Sequence, residues 1–529
     1  MRVEEKLKKI IAEAAEKAGF DLPNILISSS DFGDYSTQAG LTIKNGKTPS
    51  ENCREIIKNL PKNEIIAEAE EKNGFINFKL SETFLTLSIN NILQEKEKFG
   101  RNEELKGKKI QVEFVSANPT GPLHLGNARG GPLGDVITNV LKAEGAKGEK
   151  EFYVNDIGRQ AMHFGETLQY WKKKRKKDKI KFPEKGYPGA YMEEISKKIP
   201  DSDNLEKLAK DGIDEMMAII KATLLRMGIK YDKFVYESEI LSSGKTLEII
   251  NQLEKNGETK EQEGAIWFAG SSKKFLKDRE CVLVRSDKDK TPTYYANDIA
   301  YHKDKFDRGY NTVIDVWGSN HYGHMPRIKE ALASLGIKSN RLKILLYQYV
   351  RLKHGEKIER MAKREGIYIT ADQVLKTVGK DAFRMMMLMQ SPNTHIDFDL
   401  KLAKKESKDN PVYYLQYAVA RIAGILRKII SENEPKKLKF ENKFEKTLIK
   451  ELIKFPDLIY EIGNSFEVHH LPHYGIKLAK KFHQFYKNCP VIKAENEQIK
   501  QSRIALIIAT QIVLKNTLNI LGISAPEKM

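Results

Sequence analysis

Cysteine is scarce: Cys53, Cys281 and Cys489 are the three in 529 residues, and they lie far apart. With no C-x-x-C pair, neither a disulfide framework nor a zinc site can be read from them, and a reducing, cytoplasmic setting fits. Long apolar runs are also missing. The most apolar late stretch, "IALIIATQIVL" at 504–514, is too short to span a bilayer and reads as a buried helix. The opening "MRVEEKLKKIIAEAAEKAG" carries charge throughout, which excludes the uninterrupted apolar centre of a signal peptide. Its apolar positions 3, 7, 10, 11, 14, 15 and 18 form a helical stripe instead. No internal repeat is visible.

Acidic residues are the minority charge, 72 Asp+Glu against 90 Lys+Arg, which gives a formal net charge of +18. Such an excess favours a polyanionic partner or substrate, with a lysine-rich composition as the plain alternative. The densest basic block, "KKKRKKDKIK" at 172–181, reads first as a solvated surface segment and second as a contact for an RNA backbone. Apolar content of 40% supports well-packed cores, and the length calls for two or three domains.

Three regions follow from the pattern. Residues 1–92 combine the opening helix with short strands such as "EIIAEAE" and "GFINFKL", a small α/β module. Residues 93–404 alternate β-rich runs ("KKIQVEFVS", "KGEKEFYVND", "TVIDVWGS", "RLKILLYQYV") with helical stretches, the mark of a parallel sheet with crossover helices. Within it, about 170–260 reads as a lysine-rich helical insertion between two halves of the sheet. Residues 405–529 read as a helical bundle, in which Leu415, Val419, Ile422, Leu426 and Ile429 share one helix face.

One loop stands out. "NPTGPLHLGNARGG" at 118–131 joins the strand "IQVEFVS" to a helix marked by Leu133, Val136, Ile137, Val140 and Leu141. In doubly wound sheets ligands bind at that junction. Gly121, Gly126, Gly130 and Gly131 allow backbone to approach a ligand, a helix N-terminus favours phosphate, and a histidine can donate to oxygens whose charge grows in a transition state.

The stretch "VEFVSANPTGPLHLGNARGG" resembles the nucleotide-binding loop of class I aminoacyl-tRNA synthetases, and most closely that of arginyl-tRNA synthetases. The resemblance implies a Rossmann-like catalytic domain, an N-terminal module that contacts tRNA and a C-terminal helical anticodon-binding domain. His124 and Gly126 fall on the HIGH signature of that family, with Asn127 in place of its second histidine. The second signature, KMSKS, is matched by Arg360, Met361, Ala362, Lys363 and Arg364 within "HGEKIERMAKREGIYIT". Arginine there replaces the first lysine and alanine the serine, while Lys363 keeps the second lysine.

By the same resemblance His124, Asn127 and Lys363 would stabilise the first transition state. Gly121, Gly126, Arg360, Met361 and Arg364 would join them around ATP, which is expected with Mg²⁺ and with no tightly bound cofactor. Glu113, Asn118, Tyr294, Asp298 and His321 fall on positions that bind arginine, Asn118 at its α end, Tyr294 and Asp298 at its guanidinium. Carboxylates suit a planar cation because they accept bidentate, charge-assisted bonds. Tyr413, Tyr417 and Arg421, in or after "NPVYYLQYA", and Met529 at the end of "LGISAPEKM" are expected to bind tRNA.

The expected activity is ligation of L-arginine to tRNA(Arg), by a cytoplasmic protein that is monomeric by family analogy and has no membrane partner. The rivals are a class I enzyme for another amino acid, which would want zinc-binding Cys/His spacing or arginines in the pocket, and an RNA-binding regulator without catalysis.

Overall fold

The computed structural model describes residues 2–30, 32–270, 281–287, 289–354, 357–359, 369–429 and 438–529. At its centre lies a five-stranded parallel sheet, in the spatial order Leu342–Tyr347, Thr312–Gly318, Lys109–Phe114, Lys147–Val154 and Lys233–Tyr236. The chain therefore starts in the middle, winds outward to one edge, returns, and winds outward to the other. The order reverses between Lys109–Phe114 and Thr312–Gly318, and a crevice opens beyond the carboxyl ends of those two strands.

Both faces of the sheet are covered, so the middle strand reads as a continuous buried run: Ile110, Val112 and Phe114 are buried, and so are Gln111 and Glu113. The helix Gly130–Ala143 lies against this strand at a distance that only glycine allows. A Cβ on Gly134 would come within 2.2 Å of the Phe114 ring.

Lys233–Tyr236 departs from the expected organisation. The stretch about 170–260 was expected to be an insertion, yet it contains this edge strand of the central sheet. Four residues are too few for a period of two to register. The rest of the stretch is largely helical, with Leu205–Arg226 as its longest element. A small antiparallel sheet of Thr259–Gln262, Ala265–Phe268 and Val282–Val284 follows, and leads through Thr293 into the helix Tyr294–Asp307.

The N-terminal module is a four-stranded antiparallel sheet in the order Ile27–Ser29, Tyr35–Thr37, Phe75–Leu80, Ile66–Lys72, with helices Val3–Lys17 and Pro49–Lys58. Its first helix starts on the far end of the chain. Asp457, on the helix Phe455–Ser465, accepts the backbone N–H groups of Val3 at 2.9 Å and Glu4 at 3.3 Å, satisfying two donors that a helix N-terminus leaves open. The Arg2 guanidinium packs 3.5 Å from the centre of the Tyr460 ring on the same helix.

The C-terminal region is helical: Pro411–Leu426, Lys443–Leu452, Phe455–Ser465, His470–Asn488 and Glu497–Leu521. The apolar run at 504–514 lies inside the last of these, which is longer than the run suggested. By length and composition alone that helix could cross a membrane, but 67% of its most apolar window is buried inside the protein. It is the core helix of the bundle. Arg384, fully buried on the helix Ala371–Leu388, joins these parts. It donates to the Leu521 carbonyl at 2.8 Å and the Met227 carbonyl at 3.1 Å, and pairs with Asp135 at 2.5 Å.

Candidate active site

The strand Lys109–Phe114 ends in two non-glycine residues with positive φ, Val115 at 68° and Ser116 at 35°. Such backbone is costly, on the order of 1 kcal/mol or more each, and persists where the surroundings hold it. Here the Ser116 hydroxyl accepts the Tyr153 backbone N–H at 3.1 Å. The turn carries the chain outward into the glycine loop, which re-enters the fold at His124.

His124 is the N-cap of the short helix Leu125–Ala128, and its Nδ1 accepts the Asn127 backbone N–H at 3.1 Å. That bond sets the tautomer: with Nδ1 as acceptor, the proton of the neutral ring sits on Nε2. The loop is also zipped to a distant segment. Leu125 N–H donates to the Ile369 carbonyl at 3.2 Å, and Ala371 N–H to the Leu123 carbonyl at 2.8 Å. Ile369 follows shortly after the second lysine signature in the sequence. Arg360, Met361, Ala362, Lys363 and Arg364 themselves lie outside the described residues.

A cavity of about 930 Å³ occupies the crevice. Of the residues expected from sequence, Glu113, Asn118, Gly121, His124, Asn127, Tyr294, Asp298 and His321 all line it. Gly126 is buried behind the loop, and a Cβ there would press on the His124 ring at 3.1 Å. Tyr413, Tyr417, Arg421 and Met529 lie away from the cavity, in the helical region. The rings of Tyr413 and Tyr417 are parallel within 8° at 6.2 Å, and the Arg421 guanidinium covers Tyr417 at 4.7 Å while donating to its hydroxyl at 2.7 Å. Met529 is exposed.

The helix Tyr294–Asp307 gives the cavity its charge. Thr293 caps it by accepting the Ala296 N–H, and one helix face then presents Asp298, Tyr301, His302 and Lys305 in succession. Lys305 is fully buried, 2.5 Å from Glu113 Oε2 and 2.9 Å from Asp315 Oδ1. His302 Nε2 lies 2.9 Å from Asp315 Oδ2 and its Nδ1 3.1 Å from Asp298 Oδ1. Tyr301 donates to Glu113 Oε2 at 2.9 Å and to Glu151 Oε1 at 2.8 Å.

Burial penalises every charge in this row, and the neighbours decide the outcome. Desolvation works against a charged His302, as does nearby Lys305, but Asp298 and Asp315 overcome both and push its pKa up to about 10. Burial raises the Asp298 carboxyl, yet His302 and His324 hold it well below the usual carboxylate range. Burial raises Glu113 against the pull of Lys305. At neutral pH the row therefore reads Lys305 plus, Asp315 minus, His302 plus, Asp298 minus, with Glu113 against Lys305 at its inner end.

Glu113 and Asp298 were expected to hold a cation together. In the structure Glu113 forms part of the wall with its Oε2 already engaged by Lys305 and Tyr301, and Asp298 stands at the end of the row facing the cavity. Asn118 is exposed and donates to Gln160 Oε1 at 2.7 Å. Lys305 and Asp315 were missed in the sequence, although the helical spacing of Asp298, Tyr301, His302 and Lys305 contained the signal.

Known proteins match this chain along its length. The family model described as "tRNA synthetases class I (R), catalytic domain" covers residues 88–398, "Arginyl tRNA synthetase N terminal domain" covers 4–80, and "DALR anticodon binding domain" covers 415–529. The "Arginine--tRNA ligase" of Carboxydothermus hydrogenoformans is 40% identical over 94% of this chain and 92% of its own length. That of Desulforamulus reducens is 38% identical over 99% and 97%. The solved arginyl-tRNA synthetase of Thermus thermophilus superposes with a TM-score of 0.82 over the full length of both chains, and at 23% identity that likeness speaks to the fold alone. With its crevice, its row of charges and near-end-to-end relatives agreeing, this chain belongs to the arginyl-tRNA synthetase family of class I.

Proposed function

We propose that the protein ligates L-arginine to tRNA(Arg) at this cavity in two steps, the first of which consumes ATP. The arginine carboxylate oxygen bonds to the α-phosphorus of ATP as pyrophosphate leaves, giving arginyl-adenylate. A terminal ribose hydroxyl of the tRNA then bonds to the arginyl carbonyl carbon, and AMP leaves. The observation that carries this reading is the cavity end of the charge row: Asp298, held ionised by His302 and His324, lines the cavity with Tyr294 one helical turn away.

In this reading Asp298 and Tyr294 receive the guanidinium, Asn118 the α end, and His321 lies beside the adenylate. Glu113 acts through the row, fixing Lys305 and with it the charge on Asp315 and His302. His124, through its protonated Nε2, and Asn127 donate to phosphate oxygens beside Gly121 and Gly126. Lys363, with Arg360, Met361 and Arg364, binds the ATP phosphates. Mg²⁺ arrives with ATP, and the phosphates supply most of its coordination. Tyr413, Tyr417, Arg421 and Met529 receive the anticodon end of the tRNA, the aromatic pair by stacking. The protein acts as a cytoplasmic monomer.

The test is charging of total tRNA with radiolabelled arginine and ATP by the parent, Lys363→Ala and Asp298→Ala. Collapse in both variants is the expected result. Failure of the parent to charge arginine, with tRNA binding intact, would overturn it and favour the regulator.

A further inference from the structure

The charge row ends on an occupied seat. Asp298 Oδ2 is bonded to Nε2 of His324, the residue that precedes the helix Met325–Ser334. The His324 ring sits among aromatic rings, with centroids 6.0 Å from Trp317, 6.0 Å from Tyr295 and 6.5 Å from Tyr294. A carboxylate at one edge and aromatic faces around it make a seat for a planar cation. In the protein without substrate that seat holds an imidazole.

We propose that His324 is a stand-in for the substrate's guanidinium, seated on Asp298 until arginine displaces it, and that it thereby sets the specificity of the pocket. The inference rests on the reading of Asp298 as the guanidinium site. A newcomer must replace a hydrogen bond to a carboxylate inside a low-dielectric site. A guanidinium does this with two parallel, charge-assisted bonds. A neutral urea group, as in citrulline, returns only ordinary ones.

A consequence is competition between a proton and the substrate. When His324 is protonated its bond to Asp298 becomes an ion pair, and arginine must displace a cation rather than a neutral ring. The shifted groups around it are pushed away from neutral pH. His302, on the helix Tyr294–Asp307, stays protonated with its pKa near 10, and Asp298 stays ionised well below. Burial pushes Tyr295 far above its ordinary range, and desolvation with the neighbouring His324 holds His321 below the usual imidazole range. Tyr294 and Arg327 complete the ionisable groups of the same cavity wall.

The experiment is the KM for arginine in tRNA charging at pH 6 and pH 8, for the parent, His324→Gln and His324→Asn. The parent's KM should be severalfold higher at pH 6, because a protonated ring paired with a carboxylate is harder to displace than a neutral one. In both variants, which cannot gain a proton, the ratio should approach one. A parent ratio near one, measured without any variant, overturns the proposal, as does a variant that keeps the parent's ratio. Asp298→Asn separates the two readings. If it charges arginine with the parent's KM, the guanidinium site itself is misassigned. If it loses arginine while His324→Gln keeps the parent's pH ratio, the stand-in alone is wrong.

Discussion

Replacing Lys305 by Met removes the one ammonium that holds two buried carboxylates and leaves the volume nearly unchanged, so the cost is electrostatic rather than a cavity. Breaking a buried ion pair from one side costs about 3–5 kcal/mol, because the partner is left charged and desolvated. Here both partners keep something. Glu113 retains the Tyr301 hydroxyl at 2.9 Å and Asp315 retains His302 at 2.9 Å, which places Lys305→Met at the lower end, about 3 kcal/mol. With a urea slope of about 3 kcal/mol per molar for a unit of this size, the unfolding midpoint should fall by about 1 M. Tryptophan emission is a suitable probe. Trp171, Trp267 and Trp317 all lie between Lys109 and Tyr347, the segment that builds the central sheet, so the signal does not report the terminal regions. Adding Glu113→Gln should recover part of the loss, since a neutral amide does not need the ammonium. A midpoint shift below about 0.2 M would refute the row as a set of charges that hold one another.

Arg384→Met should destabilise by a similar amount, about 3 kcal/mol, because Asp135 keeps Lys150 while the Leu521 and Met227 carbonyls lose their donor; urea unfolding measures it. Gly522→Ala should weaken the same junction from the other side, since Gly522 has φ +67° and a Cβ there would lie 2.3 Å from the Arg384 guanidinium; a thermal midpoint equal to the parent's would contradict that packing. The seat of the first helix should respond to pH. Burial and nearby Asp457 raise Glu4 to about 7, and burial raises Asp457 to about 6. The folded form thus holds more protons than the unfolded one between about pH 4 and 7, so the stability of this contact should fall as pH rises through that window, read as proteolytic release of the N-terminal module.

The signature histidine was legible because it sits in a local pattern, a strand, a glycine loop and an amphipathic helix. Tyr294 and Asp298 were legible through their one-turn spacing. What sequence hid was pairing across elements. Lys305 looks like a solvated residue in "IAYHKDKFD", a stretch dense in charge, and only the fold places it between Glu113 and Asp315. Glu113 was read as a partner of the substrate, and its strand gave no sign that Lys305 and Tyr301 also engage its Oε2. The strand Lys233–Tyr236 escaped notice for a related reason: its place at the sheet edge comes from pairing with Lys147–Val154, not from its own composition. His324 lay in a quoted motif, "WGSNHYGH", but nothing in the spacing pointed it at Asp298.

The cap that Asp457 places on the first helix spans 454 residues of chain. A ribosome adding roughly 5–20 residues per second reaches Asp457 on the order of half a minute to a minute and a half after Val3. Throughout that interval the helix Val3–Lys17 has emerged without its cap, and the module it belongs to has nothing to dock on. The first part of the protein to be made is thus among the last to reach its final position, and a nascent chain stalled before residue 457 should carry an N-terminal module that is folded on itself and still undocked.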